Sequence, residues 1–512
     1  MGRLRHLESF VLGLSSLLAA SCGAGGVATR DIAPDHVVID ASASLARIAA
    51  DQLGTNLQVA YDVTAPSLPS ELAQLHAHLL RWPGGSLAET YHWQNHTQCD
   101  GHVSKPAYDP RSTFRNFMND IVMPGGYDVA VTVAYGTNPT CTGGGDPREA
   151  AAWVAYARSH GYSSRIKFWT VGNESFGNWE VDLHAKPHDP KTYAAAVSGP
   201  TGYYALMKAA DPRAQVGVIV AGNDGYDDWD RYVLSHAPYD FIEVHWYAEQ
   251  PGEESDSYLL DRAPQDFSRL IHHLERELAA AGRPNTPIVV GEVNSVAYNQ
   301  GKQSVSIVNG LFAGQVLAEG IEDGLAADAW WFGVGGIQDC GIHNPPGLYG
   351  FQDWGSYDLI FGNTRSAYND CQGPNGGHVI AEGALSPSGH AFRLVAEFAN
   401  PGERLLSTAS GSADARAYAA TQGKGYAVLL FNLSETKTKA IHITIRHADG
   451  PAYAATEQLY GKAQYDESRH NVWAGAVTEH LGSVGDSFTL TLPPWSMSLL
   501  QLQRNTATAV PQ

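Results

Sequence analysis

Eight short apolar runs alternate with helix-like segments between about residues 53 and 333, and this alternation constrains the fold more than any other feature. One helix-like segment, 147–160, has proline in its first turn, and another, 267–281, ends before Gly282. Eight strands with intervening helices match a (β/α)8 TIM barrel, and no Gly-rich phosphate loop favours the alternative, an open doubly wound sheet. The predicted strands are 53–60, 79–82, 128–134, 167–172, 215–221, 241–246, 287–291 and 325–331.

After residue 333 the pattern changes to short β-rich segments separated by turn residues. A helix-like segment at 388–398 is followed by strand-like runs at 417–420, 426–432, 440–445 and 487–492. This pattern predicts a C-terminal β-sandwich. A further strand-like run at 36–40 precedes the barrel, and we expect it to join the sandwich. We therefore predict an N-terminal strand within 34–50, the barrel over 51–398 and the sandwich over 399–503.

The first 22 residues have the pattern of an export signal. Arg3 and Arg5 precede an apolar run that is too short to span a bilayer, and Ser21-Cys22 follows it. This stretch resembles the cleavage box of bacterial lipoproteins, in which the cysteine becomes the lipidated first residue. We expect an exported protein, either a lipoprotein attached through Cys22 at the outer membrane or cell surface, or a secreted or periplasmic one.

Cysteine usage agrees with export into an oxidising compartment. Apart from Cys22, the chain has Cys99, Cys141, Cys340 and Cys371, an even number that allows three pairings. Proximity within the barrel favours Cys99 with Cys141 and Cys340 with Cys371. No two of these cysteines have the spacing of a metal site.

Two of the predicted strands end on glutamates. Asn173-Glu174 follows the fourth strand and Glu292 follows the seventh. The carboxyl ends of barrel strands converge at one mouth, so these residues can meet although they are distant in sequence. A retaining glycosidase needs two such carboxyl groups about 5 Å apart, one to protonate the leaving oxygen and one to attack the anomeric carbon. Either glutamate alone is as easily a structural strand-end carboxylate, but the pair favours catalysis.

The pattern resembles clan A of the glycoside hydrolases, which carry an Asn-Glu acid/base at strand four and a glutamate nucleophile at strand seven. Within the clan, residues 34–503 look most like bacterial α-L-arabinofuranosidases and their relatives. One departure is that Gly291 precedes Glu292 and Val293 follows it, where those enzymes more often have an acidic residue and tryptophan. The motifs that carry the resemblance are Leu80-Arg81-Trp82-Pro83-Gly84-Gly85-Ser86 with Tyr91-His92-Trp93, Val171-Gly172-Asn173-Glu174, and Leu490-Thr491-Leu492-Pro493-Pro494-Trp495-Ser496.

Four polar residues are expected beside the two glutamates. Asn173 is placed to bind the sugar hydroxyl next to the reacting carbon, and Arg81, at the end of strand two, to hold the nucleophile ionised. His245 and Tyr247 end strand six, so Tyr247 can donate a hydrogen bond to the nucleophile while His245 lines the pocket. A loop contact, a structural salt bridge and a core histidine are the respective alternatives for Asn173, Arg81 and His245.

Aromatic side chains are the expected sugar contacts. Trp330 and Trp331 end strand eight, and strand alternation sends one ring towards the sugar and the other between barrel and helix. Tyr135 ends strand three, Trp93 follows the Gly-Gly turn and Trp179 lies in the loop after Glu174; for each, packing is the alternative to substrate binding. We attribute sugar recognition to Trp93, Trp179 and Trp330 with their loops. The polar loop residues Asp182, His184 and His188 lack metal-ligand spacing.

Composition narrows the partners. Acidic residues outnumber basic ones 53 to 33, which disfavours nucleic acid and anionic membrane surfaces as partners. The resemblance implies a retaining glycosidase that acts on polysaccharide or oligosaccharide and needs no metal or cofactor. An endo-β-glycanase or β-xylosidase of the same clan and a non-catalytic sugar-binding lipoprotein are the alternatives. The oligomeric state stays open.

Overall fold

The computed structural model describes residues 32–335, 339–340, 344–362, 382–470 and 472–505. The export signal, Cys22 and Cys371 lie outside these ranges. Among the described residues, no helix combines the length and apolar composition that a bilayer crossing requires.

A closed parallel barrel forms the larger part of the described chain, and its eight strands follow one another in chain order. Each strand pairs with the next, and the eighth closes the barrel by pairing with the first, with Asp328 opposite Leu53. The predicted TIM barrel is therefore confirmed, with all eight strands in the predicted places. The strands are Leu53–Asn56, Leu79–Trp82, Asp128–Val133, Ile166–Val171, Val216–Ile219, Phe241–Glu249, Ile288–Val296 and Ala327–Trp330.

Helices and short turns connect the strands and cover the barrel. The helix Pro147–Ser159 begins after Asp146, whose side chain accepts a hydrogen bond from the Arg148 N–H, and proline occupies its first turn. The α-helices are Leu68–Ala73, Phe114–Asn116, Met123–Gly125, Pro147–Ser159, Pro190–Val197, Tyr203–Ala210, Trp229–His236, Asp256–Asp261, Ala263–Ala280, Ile307–Glu322, Pro387–Phe398 and Lys462–Asp466. Shorter 3-10 turns are Gly85–Glu89, Tyr162–Ser164, Lys302–Val305 and Glu467–His470, and Phe117–Val122 is a π-helix.

Nine strands of the described residues form a second, mostly antiparallel sheet. The sheet curls so that apolar side chains from both of its ends enclose one core, which makes it the predicted β-sandwich. The run at 36–40 belongs to the strand His36–Arg47, which lies between Arg404–Ser410 and Lys439–Arg446. The other six strands are Ala415–Gln422, Gly425–Asn432, Tyr453–Gly461, Val477–Val484, Ser487–Leu492 and Ser496–Arg504.

The helix Ile307–Glu322 packs between the barrel and the sandwich. It is buried on nearly all sides because the barrel lies against one face and the sandwich against another. In the strand Gly425–Asn432, Leu429 and Phe431 pack in the core shared with the barrel helices, whereas Val428 and Leu430 point into the sandwich core. This period-two alternation lets one strand serve two cores.

A small three-stranded sheet, Tyr91–His92, Thr97–Cys99 and Ser104–Pro106, lies in the connection between the second and third barrel strands. The predicted disulfide between Cys99 and Cys141 is present, with Cα atoms 5.3 Å apart, and ties this sheet to the loop after the third barrel strand. The predicted partnership of Cys340 with Cys371 lies outside the described residues. Two further strand pairs are Val334–Gly335 with Ile360–Phe361 and Asp339–Cys340 with Trp354–Gly355.

Candidate active site

Glu174 lies in a tight turn at the end of the fourth barrel strand. The turn begins at Gly172, with a φ of 81°, and Glu174 itself has a φ of 45°, an unusual value for a residue with a side chain. The buried carboxylate of Glu89 fixes this backbone, because it accepts hydrogen bonds from the Asn173 N–H over 3.0 Å and from the Ser175 hydroxyl. The glutamate is therefore directed into the barrel mouth by a locally constrained backbone.

Glu292 lies within the seventh barrel strand, which extends beyond its predicted end at residue 291. A β-bulge at Gly291 shifts the register, so that Glu292 lies level with His245 on the neighbouring strand. The Tyr247 hydroxyl donates to Glu292 Oε2 over 2.6 Å, and Arg81 Nη1 donates to Glu292 Oε1 over 2.9 Å. These are the contacts expected of Tyr247 and Arg81 from the sequence.

His245 lies between the two glutamates. Its Nδ1 atom is 2.8 Å from Glu174 Oε1 and 3.6 Å from Glu292 Oε1. One ligand atom from each of the three residues falls within 4.8 Å of the others. The structure thus brings the two predicted carboxyl groups together at one nitrogen of the His245 imidazole.

Arg81 is the buried centre of this network. Besides Glu292, its guanidinium donates to Asn173 Oδ1 over 2.8 Å and to Asn56 Oδ1 over 3.0 Å. Asn173 in turn donates from Nδ2 to Glu180 Oε1 over 2.9 Å. Arg81 therefore orients both the nucleophile candidate and the residue next to the acid candidate, through charge-assisted hydrogen bonds.

The protonation preferences of the three central groups follow from their contacts. Burial favours the neutral form of Glu174, but the hydrogen bond and charge of His245 lower the pKa of Glu174. Burial raises the pKa of Glu292 even though His245 and Arg81 oppose it. Burial acts to lower the pKa of His245, but the adjacent carboxylates outweigh it and raise that pKa to about 10. In the free protein, the proton between Glu174 and His245 therefore resides on His245.

The two glutamates open into a cavity of about 760 Å³ at the barrel mouth. Three aromatic side chains in its wall are unusually accessible, namely Trp179 at 52%, Tyr226 at 40% and Tyr298 at 58% exposure. Such rings offer the flat apolar faces on which sugars stack. The lining residues are Gly85, Ser86, Asn173, Glu174, Phe176, Trp179, Ala221, Asn223, Tyr226, His245, Trp246, Tyr247, Gln250, Glu292, Ala297, Tyr298 and Trp331.

The two tryptophans at the end of the eighth strand face opposite ways. Trp331 lines the cavity, whereas Trp330 is fully buried, lies near Phe312 of the helix Ile307–Glu322, and donates its indole N–H to the Tyr357 carbonyl. Alternation therefore operates as predicted. The assignment of Trp330 to sugar recognition is corrected, because its ring lies behind the strand.

Two other expected sugar contacts are packing residues. Tyr135 is fully buried and stacks on His184 with ring centres 4.4 Å apart, because the loop after the fourth strand covers it. Trp93 stacks on Trp153 of a barrel helix at 5.6 Å and donates to the Glu149 carbonyl. Neither side chain lines the cavity.

Within the described residues, two groups of acidic and histidine side chains are close enough to share a cation. One is the set Glu174, His245 and Glu292, whose atoms already bond to one another or to Arg81 and Tyr247. The other, Asp224, His273 and Glu277, lies at the surface. The loop residues Asp182, His184 and His188 are not a third group: Asp182 contacts the ring of His184, but from His188 it accepts only the backbone N–H.

Sequence reasoning missed Glu243, whose side chain is fully buried next to Arg81 and His245. The sequence signal for Glu243 is a single acidic residue in the mostly apolar predicted strand 241–246. Charged side chains are rarely buried without a partner, so such a residue indicates a buried ion pair. Sequence reasoning also missed Phe176, Tyr226 and Tyr298 in the cavity wall. These lie in loops, where no periodicity indicates which way a side chain points.

Comparisons with known proteins give partial sequence likeness and extensive structural likeness. No protein-family model matches this chain. The chain is 31% identical over 186 residues to "Probable alpha-L-arabinofuranosidase C" of Aspergillus clavatus, a match that covers 32% of this chain and 34% of the relative. It is 28% identical over 179 residues to alpha-L-arabinofuranosidase C of Emericella nidulans, covering 32% and 33%. The chain thus spans about a third of the length of the curated relatives it matches.

The structural likeness spans nearly the whole fold. The alpha-L-arabinofuranosidase of Thermotoga maritima, solved with arabinose, superimposes with a TM-score of 0.67 at 17% identity, over 91% of this chain and 99% of that one. A bifunctional glucanase-xylanase from a metagenome library gives a TM-score of 0.63 at 15% identity, over 92% and 99%. At such identities the likeness establishes the fold alone. The chain is therefore similar to clan A arabinofuranosidases in a third of its sequence, and it shares their barrel-and-sandwich fold.

Proposed function

We propose that this protein is a retaining glycoside hydrolase that releases α-L-arabinofuranosyl residues from a polysaccharide or oligosaccharide. The observation that carries the proposal is the approach of Glu174 and Glu292, whose carboxylate oxygens come within 4.8 Å of each other beside His245 Nδ1. Retaining glycosidases hold their carboxyl groups about 5 Å apart, whereas inverting enzymes leave room for a water, at about 6.5–9.5 Å. The names of the matching relatives support the arabinofuranosyl group.

In the first step, Glu292 attacks the anomeric carbon and forms a covalent glycosyl ester. Arg81 and Tyr247 each bind one of its carboxylate oxygens, which keeps the nucleophile oriented and favours its ionised form. Glu174 protonates the departing oxygen as the glycosidic bond breaks. The proton comes from the His245–Glu174 pair, because His245 Nδ1 holds it 2.8 Å from Glu174 Oε1.

In the second step, Glu174 removes a proton from water, and the water attacks the ester carbon to release the sugar. Glu174 is ionised at this stage because its proton went to the leaving oxygen in the first step, so it can accept one from water. Formation of the ester also removes the negative charge of Glu292 from the site.

The leaving group belongs on the Glu174 side of the cavity, because Glu174 protonates the leaving oxygen. Trp179 and Tyr226 line that side with exposed rings, and Phe176 packs 4.8 Å from Tyr226. Exposed rings beyond the acid favour a sugar chain as the leaving group. The same feature supports the second candidate, an endo-β-glycanase or β-xylosidase with the same pair of glutamates. A non-catalytic sugar binder has no need of two carboxylates on one imidazole.

The test is turnover of Glu174→Gln and Glu292→Gln on a panel of nitrophenyl glycosides, with α-L-arabinofuranoside first. We expect both variants to lose at least about a thousandfold in kcat. The matched control is Glu457→Gln, which alters a buried glutamate that accepts one hydrogen bond from Ser498 in the sandwich, and it should keep wild-type turnover. Near-wild-type turnover in either active-site variant refutes the assignment of the two glutamates. If the wild-type protein hydrolyses only a xyloside or a glucan, the arabinofuranosyl group is the wrong substrate and the second candidate function takes its place.

Azide separates the two roles. In Glu174→Ala, azide attacks the glycosyl ester and yields an arabinosyl azide of retained configuration. In Glu292→Ala, azide replaces the nucleophile and yields the inverted azide. The opposite pair of products exchanges the two assignments.

We also propose that the protein is exported and attached to a membrane through a lipid on Cys22, with simple secretion as the alternative. The residues before Cys22 support this proposal by their resemblance to a lipoprotein signal. Labelling with a radioactive fatty acid in a bacterial host should mark the wild-type chain but not Cys22→Ser. Unlabelled wild-type protein in the culture medium favours secretion.

A further inference from the structure

Glu243 lies in the sixth barrel strand, with its side chain entirely shielded from solvent. Its Oε1 atom accepts hydrogen bonds from Arg81 Nε over 3.0 Å and from His245 Nε2 over 3.2 Å. Its Oε2 atom accepts one from the Thr170 hydroxyl. The carboxylate of Glu243 thus contacts both cations of the site, Arg81 and His245.

The carboxylate of Glu243 occupies the space next to Gly291, directly before the nucleophile candidate Glu292. A Cβ atom on residue 291 would lie 2.7 Å from Glu243 Cδ, closer than such atoms ever approach. The backbone at Gly291 does not have a positive φ, so the conformation itself accepts any residue. A side chain at 291 would therefore have to displace the carboxylate of Glu243, and glycine leaves open the space that this carboxylate fills.

The charges of the site explain what this carboxylate contributes. Arg81 and His245 are the two cations, and Glu174, Glu292 and Glu243 are the carboxylates that face them. Without Glu243, two cations 3.2 Å apart at closest approach would be balanced only by the two reacting groups. One of those is esterified during the reaction, so the site needs a carboxylate that does not react.

We propose that Glu243 is a positioning residue that keeps His245 charged and holds Arg81 and His245 aligned on the two reacting glutamates, from the space that a side chain at position 291 would otherwise fill. The inference rests on the proposed glycosidase function for its kinetic consequence, but not for its electrostatic one. Burial alone would raise the pKa of Glu243, but Arg81 and His245 lower it to about 2. Its carboxyl group is therefore ionised at every pH used in the experiments below.

The first experiment measures the His245 imidazole by NMR in Glu243→Gln. Its resonance is identified by its absence from His245→Asn. Glutamine keeps the shape of the glutamate side chain but not its charge. We therefore expect the midpoint of the His245 titration to fall by about one pH unit or more. The control Glu457→Gln should leave it in place. An unmoved His245 titration in a folded Glu243→Gln variant overturns the proposal.

Kinetics give a second measurement on the same variants. If His245 supplies the proton, the basic limb of kcat/KM should move to lower pH with the imidazole, and kcat/KM at pH values above the wild-type limb should fall about tenfold per pH unit of that shift. A fall in kcat with an unmoved pH profile indicates mere packing and overturns the proposal. The NMR measurement needs no turnover, so a protein that hydrolyses no glycoside refutes the proposed function and still tests Glu243.

A relocated carboxylate keeps the proposal testable if Glu243→Gln does not fold. Glu243→Ala opens the space beside residue 291, and adding Gly291→Asp returns a carboxylate to it. We expect the double variant to regain the high His245 titration and, with it, the wild-type position of the basic limb of kcat/KM. Absence of any recovery in the double variant overturns the proposal.

Discussion

The indole N–H of Trp179 donates to Glu174 Oε2 over 2.6 Å, although half of the tryptophan side chain is exposed to solvent. The same residue therefore presents a ring face to the cavity and holds the acid candidate by its edge. Glu174 is bound on its other oxygen by His245, so the carboxylate is fixed from two directions.

Replacing Trp179 separates these two contributions. Trp179→Phe keeps an aromatic face but loses the donor, and a hydrogen bond to a charged group contributes about 1.5–3 kcal/mol. We expect kcat to fall about tenfold or more with little change in KM, and the loss to grow for aryl glycosides with poor leaving groups, which depend most on the acid. Trp179→Ala should also raise KM on oligosaccharides. Equal losses for good and poor leaving groups would contradict the role of the donor.

Removing the Tyr247 hydroxyl should weaken the nucleophile. The hydrogen bond of Tyr247 to Glu292 lowers the pKa of that carboxyl, so Tyr247→Phe should raise this pKa and shift the acid limb of kcat/KM to higher pH. We expect kcat/KM to fall about 10–100-fold. Tyr258→Phe removes a hydroxyl bonded to Asp266 outside the cavity and provides the control. An unchanged acid limb in Tyr247→Phe would show that the hydroxyl is dispensable.

Glu89 should matter more for stability than its distance from the cavity suggests. Its carboxylate accepts the backbone N–H groups of Tyr135, Gly136 and Asn173 and the hydroxyl of Ser175, all of them buried. An amide cannot accept four donors, because its nitrogen would face two of them. We expect Glu89→Gln to lower the free energy of unfolding by about 2–4 kcal/mol, measured by urea denaturation. A change below the scatter of the control Glu457→Gln would contradict this account.

His390 should make the fold sensitive to acid. It is buried against Tyr460 with ring centres 4.4 Å apart, and burial lowers its pKa from 6.5 to about 4. The unfolded chain therefore takes up a proton at a pH where the folded chain does not, and stability is lost as pH falls below about 6.5. Between pH 7 and pH 5 this residue should cost about 2 kcal/mol. His390→Phe should remove that part of the difference in urea midpoints, and an unchanged difference would refute it.

The eight strands and the meeting of Glu174 with Glu292 could be predicted because they depend on periodicity and on parallel strand direction. Arg81, His245 and Tyr247 follow from the same rule, since each lies at or next to the end of its predicted strand. What the rule does not contain is the register within a strand. The bulge at Gly291 that brings Glu292 level with His245 has no sequence signature apart from the glycine.

The aromatic residues were harder because identical rings serve packing and binding. Trp330 and Trp331 are adjacent, and only the direction of the last strand residue decides which one reaches the cavity. Tyr135 ends a strand at the mouth but lies beneath a loop that carries His184. Burial by a distant loop depends on tertiary contacts, and no local pattern reports it.

The position of the strand His36–Arg47 has a consequence for how the molecule assembles. The ion pair that secures its start joins Asp35 to Lys439, 404 positions later, at 2.8 Å. During synthesis this strand leaves the ribosome before any barrel strand, yet both of its neighbours in the sheet emerge after the barrel is complete. The strand can therefore find its native partners only when the C-terminal segments are also available, so the sandwich closes as one of the last steps of folding.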